Sequence, residues 1–348
     1  MTRSAICLLA LLLAGSSAMA QETTSFQGKT VNMIIGYAAG GGTDAYGRLV
    51  AAYLGKYLPG SPTMVVRNVP GADGNTAMNY LVEQVVPDGN TITMASNSSA
   101  DPLNYRKPQS KFNPLEFAVI GGAGRGGEVL LINKDAQKRL YDKLATPVVM
   151  GALGGVPRSG MLMTAWGIEY LGWNAKWVIG YRGTNELMLA LERGEIDMTS
   201  TGNLFLIQKL VDSGKFNILV QTGMLKSGAL ISRADFGNAP VFAKMMEGKI
   251  VDPVARKAFE YWSDMAVTDK WLALPPKSPK SIIDVYREAY SKVIQDAEFI
   301  ERGKKISDDI QPMLSGDIEP LIRRLADVPR EAIEHNANML KKQGVPTE

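Results

Sequence analysis

Apolar residues first follow a strand pattern and then a helix pattern between residues 31 and 58. A short apolar run over residues 31–35 is typical of a buried strand, and three glycines follow at residues 40–42. Apolar residues then recur at helical spacing from Leu49, and Pro59 ends the pattern. This segment therefore predicts a strand, a glycine turn and an amphipathic helix.

The same alternation of strands and helices continues along the chain. The glycine-rich residues 122–127 predict a loop between two strands, and the chain from Asp252 onward predicts mostly helices. Repeated βα units predict parallel sheets covered by helices, and ligands of such sheets bind beyond the carboxyl ends of the strands. The other predicted elements are strands at 63–67, 91–95, 118–121, 129–132, 147–150, 176–179, 196–199 and 218–222, and helices at 77–86, 157–172 and 185–193.

The glycine turn at residues 40–42 predicts an anion-binding site. A turn of this kind leaves backbone N–H groups unpaired at the positive end of the helix dipole, and Thr43 is a candidate N-cap. A nucleotide site is a weaker interpretation, because neither the Walker lysine nor the complete G-x-G-x-x-G pattern is present. The turn therefore favours a small anionic solute.

An export signal is predicted at the N-terminus. Arg3 supplies the positive charge, residues 6–14 form a short apolar core, and residues 18–20 (Ala-Met-Ala) fit a cleavage site. Residues 1–20 are therefore predicted to be a cleaved signal peptide, and the mature protein is predicted to be periplasmic. A retained N-terminal anchor is the alternative.

Few side chains for chemistry lie outside this signal. The one cysteine, Cys7, is part of it, and the one histidine is His335. A thiol nucleophile, a Ser-His-Asp triad and a His/Cys metal site are therefore not expected, and no cofactor is predicted. The formal net charge of +3 is too balanced for a nucleic-acid-binding surface. These counts favour a binding protein over an enzyme.

Five motifs follow one another in an order that resembles the substrate-binding proteins of tripartite tricarboxylate transporters, the Bug family. They are Tyr-Ala-Ala-Gly-Gly-Gly-Thr-Asp at residues 37–44, the Asn-x-Pro-Gly-Ala-x-Gly loop at 68–74, Pro-Asp-Gly at 87–89, Tyr-Arg-Gly at 181–183 and Gly-Glu-Ile-Asp at 194–197. The resemblance covers most of residues 26–225.

This resemblance implies an α/β, type II periplasmic-binding-protein fold, with mainly parallel sheets in two lobes and a ligand cleft between them. Residues 26–125 and 225–348 would form lobe one, and residues 126–224 would form lobe two, with crossings near 125–129 and 222–225. The implied function is that of a periplasmic solute-binding protein, which captures a small organic carboxylate and delivers it to the membrane subunits of a transporter.

The resemblance also implies that two loops grip the ligand, largely through backbone amides and bridging waters. They match residues 38–44 and 151–160. The second loop departs from the family pattern because it lacks a histidine; Arg158 there would face either a bound anion or solvent. The residues predicted to bind the ligand are Ala38, Ala39, Gly40, Gly41, Gly42, Thr43, Asp44, Ser96, Asn97, Gly155, Arg158, Ser159, Tyr181 and Thr201.

Several of these assignments have structural alternatives. Ser96, Asn97 and Thr201 follow predicted strands and would either contact the ligand or cap a helix. Tyr181 would line the cleft or pack in the core. Arg125, at a predicted crossing, would contact the ligand or face water. Four aromatic residues are spaced like core residues, and an aromatic-ligand pocket is the alternative interpretation. They are Trp166, Tyr170, Trp173 and Trp177.

Two other functions remain open at this point. One is a ligand-sensing subunit that engages a membrane sensor kinase, and the other is a secreted hydrolase or lyase that uses carboxylate catalysis. The ligand itself could be an aliphatic acid, an aromatic acid or an amino acid.

Overall fold

The computed structural model of the protein describes residues 24–153, 156–157, 159–226, 228–307 and 310–346. The strands in these ranges are β1 (Thr30–Ile35), β2 (Thr63–Asn68), β3 (Thr91–Ser96), β4 (Ala118–Arg125), β5 (Val129–Asn133), β6 (Val148–Leu153), β7 (Ala175–Tyr181), β8 (Met198–Thr201), β9 (Phe216–Gln221), β10 (Met224–Lys226), β11 (Ala229–Ile231), β12 (Thr268–Leu274) and β13 (Ile310–Leu314). The predicted signal peptide lies outside the described residues.

Except between β4 and β5, the α-helices alternate with these strands up to β9, and they dominate the chain after β11. They are α1 (Gly42–Tyr57), α2 (Asn75–Glu83), α3 (Pro102–Tyr105), α4 (Lys134–Gln137), α5 (Leu162–Tyr170), α6 (Thr184–Arg193), α7 (Leu204–Asp212), α8 (Phe242–Met245), α9 (Pro253–Val267), α10 (Lys280–Val293), α11 (Ala297–Ile306), α12 (Ser315–Ala326) and α13 (Arg330–Lys342). No helix in the described part of the chain is long and apolar enough to span a membrane.

Two sheets organise the molecule. The first has the strand order β13-β4-β12-β3-β1-β2, and the second has the order β7-β6-β8-β5-β9. Among the described strands, four of the six in the first sheet run in one direction, and four of the five in the second do so. The predicted α/β architecture with mainly parallel strands is confirmed.

The chain after Asp252 is mostly helical, as predicted, but it also contributes two strands to the first sheet. β12 lies in the middle of the first sheet, antiparallel to both β3 and β4, and β13 forms one edge beyond β4. Residues 271–274 of β12 are fully buried. The sequence missed β12, because pairing on both sides stabilises an apolar run that has no turn signal before it.

The glycines of residues 122–127 are not simply a loop, since β4 continues to Arg125. A Cβ at Gly121 would lie 2.3 Å from the ring of Tyr290, and one at Gly122 would lie 2.3 Å from the carbonyl oxygen of Lys270. These glycines therefore allow α10 and β12 to approach the strand closely. Glycine at the end of β4 therefore reflects close packing, whereas the sequence predicted a loop between two strands there.

The second sheet is covered partly by helices from the C-terminal third of the chain. Trp166 of α5 packs edge-on against Phe259 of α9, with ring centroids 5.1 Å apart, and Trp173 packs against Phe242 at 5.8 Å. Both tryptophans are buried, which confirms core packing for them. Met339 of α13 belongs to the same hydrophobic cluster. These helices were predicted to belong to lobe one; the lobe boundaries stay a prediction.

The chain passes from the first sheet to the second between β4 and β5. The backbone N–H of Glu128 donates to Thr222 Oγ1 at 2.9 Å, and the N–H of Thr222 donates to the carbonyl of Glu128 at 2.9 Å. Gly127 has φ +95°, and a Cβ there would lie 2.8 Å from the carbonyl oxygen of Gly223. The crossing is thus clamped by hydrogen bonds to the segment that leaves β9.

Candidate functional site

The glycine loop lies at the carboxyl end of β1, where residues 38–42 are exposed. The N-cap of α1 is Gly41, so Thr43 lies inside the helix and the prediction that it is the cap was wrong. No side chain from the described residues caps this helix. The first N–H groups of α1 therefore face outward without a side-chain acceptor, as an anion-binding position requires. We call the backbone of residues 41–43 the first anion site.

Asp44 fixes the shape of this loop from inside. Its side chain is 3% exposed, and its carboxylate accepts hydrogen bonds from the N–H of Gly40 at 2.8 Å, from Arg48 Nε at 2.9 Å and from Asn68 Nδ2 at 2.8 Å. Burial acts to raise the pKa of Asp44, but these hydrogen bonds outweigh burial and lower the pKa to about 2. The Asp44 side chain therefore does not bind a ligand directly and supports binding only by holding the loop in place.

Three hydroxyl groups adjoin the loop. Tyr37 OH and Ser98 Oγ are 2.6 Å apart, and Ser98 Oγ donates to Ser96 Oγ at 3.3 Å. Burial raises the pKa of Tyr37, so the phenol stays neutral at physiological pH. Ser96 also accepts from the N–H of Ser98, which is the capping role that the sequence left open. The hydroxyls extend the polar surface beside the first anion site.

Asn97 ties this cluster to the central strand. Its Nδ2 donates to the carbonyl of Thr268 at 2.9 Å, and the residue is 8% exposed. Trp271 Nε1 donates to the carbonyl of Ser96 at 2.9 Å. β12 therefore holds the end of β3 in place, and the side-chain amide nitrogen of Asn97 already donates a hydrogen bond to a backbone carbonyl.

In the second predicted loop, Gly155 and Arg158 lie outside the described residues. Ser159 is described and has φ +52°, an unusual value for a residue with a side chain. Its carbonyl accepts a hydrogen bond from Trp262 Nε1 at 2.8 Å. Helix α9 thus holds Ser159 in place.

The protein's own Glu128 carboxylate fills the region beside Ser159. Glu128 Oε1 accepts from Ser159 Oγ, and Oε2 accepts from the N–H of Gly160 at 2.9 Å and from Ser200 Oγ at 3.1 Å. We call Ser159, Gly160 and Ser200 the second anion site. The sequence prediction missed Glu128; its only signal was a lone carboxylate between glycines and a buried strand.

Arg125 is the last residue of β4, where the chain leaves the first sheet for the second. Its Nη1 donates to Ser159 Oγ at 3.3 Å, while its nitrogens are 3.8 Å from Glu128 Oε1 and 3.7 Å from Asp269 Oδ1. Its side chain is one-third exposed. Because both ion pairs are longer than a normal hydrogen bond, the guanidinium keeps N–H groups that can turn toward an anion. Asp269 also pairs with Lys270, which is buried in the same strand.

The remaining predicted residues have local partners. Thr201 Oγ1 accepts from the N–H of Asn203 at 3.1 Å, and Asn203 in turn caps α7. Tyr181 ends β7, an edge strand, and packs against the hydrophobic cluster that contains Leu187. Burial raises the pKa of Tyr181. These contacts favour the packing alternative for Tyr181, and its place in the ligand site stays a prediction.

A metal site finds no support in the described ranges, where no group of three or more His, Cys, Asp or Glu side chains is placed to hold an ion. The arrangement instead offers backbone N–H groups, hydroxyls and one guanidinium. These groups recognise an anion by hydrogen bonding.

No protein-family model and no curated protein sequence matches the chain. Solved structures do. A TctC solute-binding protein from Polaromonas is similar with a TM-score of 0.67 at 18% identity, over 91% of this chain and 100% of that one. The periplasmic binding protein BugD has a TM-score of 0.50 at 22% identity, over 93% and 100% of the two chains. An R. palustris protein with adipate has a TM-score of 0.51 at 17% identity, over 91% and 98%.

Identities this low establish the fold alone. The match nevertheless extends over the whole length of the TctC protein and 91% of this chain. The predicted type II periplasmic-binding-protein fold is therefore confirmed: this chain has the fold of the TctC and BugD solute-binding proteins.

Proposed function

We propose that this protein is a non-enzymatic periplasmic solute-binding protein, which captures a small organic carboxylate and delivers it to a tripartite tricarboxylate-type membrane transporter. The shared fold supports the binding role. The observation that carries the ligand class is the first anion site, an exposed glycine loop leading into a helix without a side-chain cap. One structural neighbour was solved with adipate, a carboxylate.

The ligand carboxylate would accept hydrogen bonds from the backbone of residues 41–43. Arg125 supplies a positively charged partner from the end of β4, beside the crossing to the second sheet. A ligand that reaches both would link the β1–α1 loop to the crossing between β4 and β5. Such a link would stabilise a closed arrangement of the two sheets, because it adds contacts that neither sheet makes alone.

Ligand binding should raise the melting temperature of the mature protein. We expect one-to-one binding of at least one member of a panel of butyrate, hexanoate, succinate, adipate and citrate. At a concentration one hundred times its Kd, a ligand adds about 2.7 kcal/mol to the free energy of unfolding. Thermal shift identifies the ligand, isothermal titration gives its stoichiometry, and incubation followed by product analysis tests for turnover. A panel without any shift at millimolar concentration would contradict the carboxylate assignment.

Delivery to a transporter is tested in cells. Deletion of the gene should abolish high-affinity uptake of the radiolabelled carboxylate that the panel identifies, and a plasmid copy should restore it. If uptake persists while a transcriptional response to the carboxylate disappears, the protein is a sensor subunit instead. Either result separates transport from signalling to a kinase.

A further inference from the structure

We infer that Glu128 determines ligand specificity, because its carboxylate occupies the second anion site and leaves the cleft suited to solutes with one carboxylate group. The inference rests on the proposed function, since it concerns the same cleft. It assigns small monocarboxylates as the preferred ligands and predicts weaker binding of dicarboxylates of the same chain length.

The donors around Glu128 form the kind of site that a ligand carboxylate would use. The N–H of Gly160 and the hydroxyls of Ser159 and Ser200 all donate to the two Glu128 oxygens. Arg125 adds positive charge 3.8 Å from Oε1. A backbone N–H, two hydroxyls and a guanidinium thus converge on one carboxylate, which here is part of the chain.

The position of Glu128 is fixed by its backbone. Reciprocal hydrogen bonds with Thr222 hold the peptide groups on both sides of its Cα, each at 2.9 Å. Gly160 leaves room for the side chain, because a Cβ at that position would lie 2.6 Å from Glu128 Oε2 and 2.3 Å from Ser200 Oγ. The carboxylate therefore fills a space that a larger residue at position 160 would close.

A second ligand carboxylate meets two obstacles at this place. The donors of Ser159, Gly160 and Ser200 are already engaged, so the incoming group would lose water and could gain hydrogen bonds only from Arg125. It would also approach a negative charge held in place, and like charges at close range repel. A neutral or apolar ligand end meets neither obstacle. The two anion sites therefore differ: the first is open to the ligand, and the second is occupied by the protein.

The test compares acids of equal length on the mature protein and on Glu128→Ala. Isothermal titration measures Kd for hexanoate and adipate and for butyrate and succinate. Wild type should bind each monocarboxylate at least about tenfold more tightly than its dicarboxylate partner. Glu128→Ala frees the donors and removes the repulsion, so dicarboxylate affinity should rise about tenfold or more, while monocarboxylate affinity stays within about threefold.

Glu195→Ala is the matched control, because it removes a half-exposed glutamate from the segment just before β8 and changes the net charge equally. It should leave all four affinities unchanged. If Glu128→Ala does not melt cooperatively, Glu128→Gln keeps the shape, removes the charge and should shift the preference in the same direction. Wild type that prefers adipate to hexanoate, or a preference unchanged within about twofold in the Glu128 variant, would overturn the inference alone. Binding of citrate alone would also overturn the inference, and binding of none of the five acids in the thermal-shift panel would overturn the proposed function as well.

Discussion

An Asp44→Ala variant should have a free energy of unfolding about 2 kcal/mol below that of wild type, within the range for hydrogen bonds to a charged group whose ionic partner, Arg48, is half-exposed. The substitution removes an acceptor shared by Gly40, Arg48 and Asn68. It leaves the N–H of Gly40, an exposed residue, and the amide of the half-buried Asn68 without that partner. Because the glycine loop then loses its internal support, affinity for the carboxylate found by thermal shift should fall as well.

Urea denaturation followed by circular dichroism measures the loss. Asp284→Ala is the control, since Asp284 also pairs with a residue four positions away but is half-exposed. That variant should stay within about 0.5 kcal/mol of wild type. An Asp44→Ala protein as stable as the Asp284 variant would mean that the loop does not depend on this carboxylate.

The same group makes stability depend on pH in a defined window. The pKa of Asp44 is lowered from its ordinary value near 4 to about 2 in the folded protein. The contribution of Asp44 to the free energy of unfolding is therefore complete above about pH 4 and is lost as the pH falls toward 2. Asp44→Asn should lack this component, so the stability difference between wild type and Asp44→Asn should narrow across that window.

Gly41→Val should lower affinity for the bound carboxylate by about a hundredfold while the fold survives. Gly41 has φ −76°, which any residue adopts, and a Cβ there would meet only the carbonyl oxygen of Ala38 at 3.6 Å. Valine is therefore tolerated at this N-cap without backbone strain. Its branched side chain would stand beside the first N–H groups of α1 and obstruct close approach of an anion.

Gly316→Val is the matched control for this variant. Gly316 is also exposed in the first turn of a helix, α12, where a Cβ would meet nothing within 4 Å. It follows β13, which ends opposite Gly121 in β4, far along the strand from Arg125. Titration of both folded variants decides the role of the loop. An affinity for Gly41→Val equal to that of the Gly316 control would remove the glycine loop from the ligand site.

Local signals were sufficient for the first unit of the fold. The apolar run, the glycines and the helical spacing of residues 31–58 are neighbours in sequence, and the structure has β1, the turn and α1 there. β12 could not be predicted in this way. It follows α9 without a glycine or proline between them, and pairing with β3 and β4 makes it a strand. Contacts distant in sequence decide such an element.

The candidate site likewise has one part that local sequence signals predict and one part that they do not. The glycine loop carries a recognisable motif, whereas the second anion site has no motif at all. Ser159 and Ser200 lie 31 and 72 positions from Glu128, and the fold alone brings them together. A single carboxylate in a sequence of this length gives no sign of which hydroxyls it meets. The partners of Glu128 follow from the order in which the strands lie in the sheet. A sequence pattern of alternating strands and helices does not specify that order.

The central position of β12 has a consequence for the order in which the protein matures. β3 and β4 both pair with β12, and 143 positions separate the end of β4 at Arg125 from the start of β12 at Thr268. At about 5–20 residues per second, a ribosome needs on the order of 10 s to supply that length. During this interval β3 and β4 lack their shared neighbour, so the newly made N-terminal half cannot complete its sheet. Completion of the first sheet is therefore delayed until most of the chain has been synthesised.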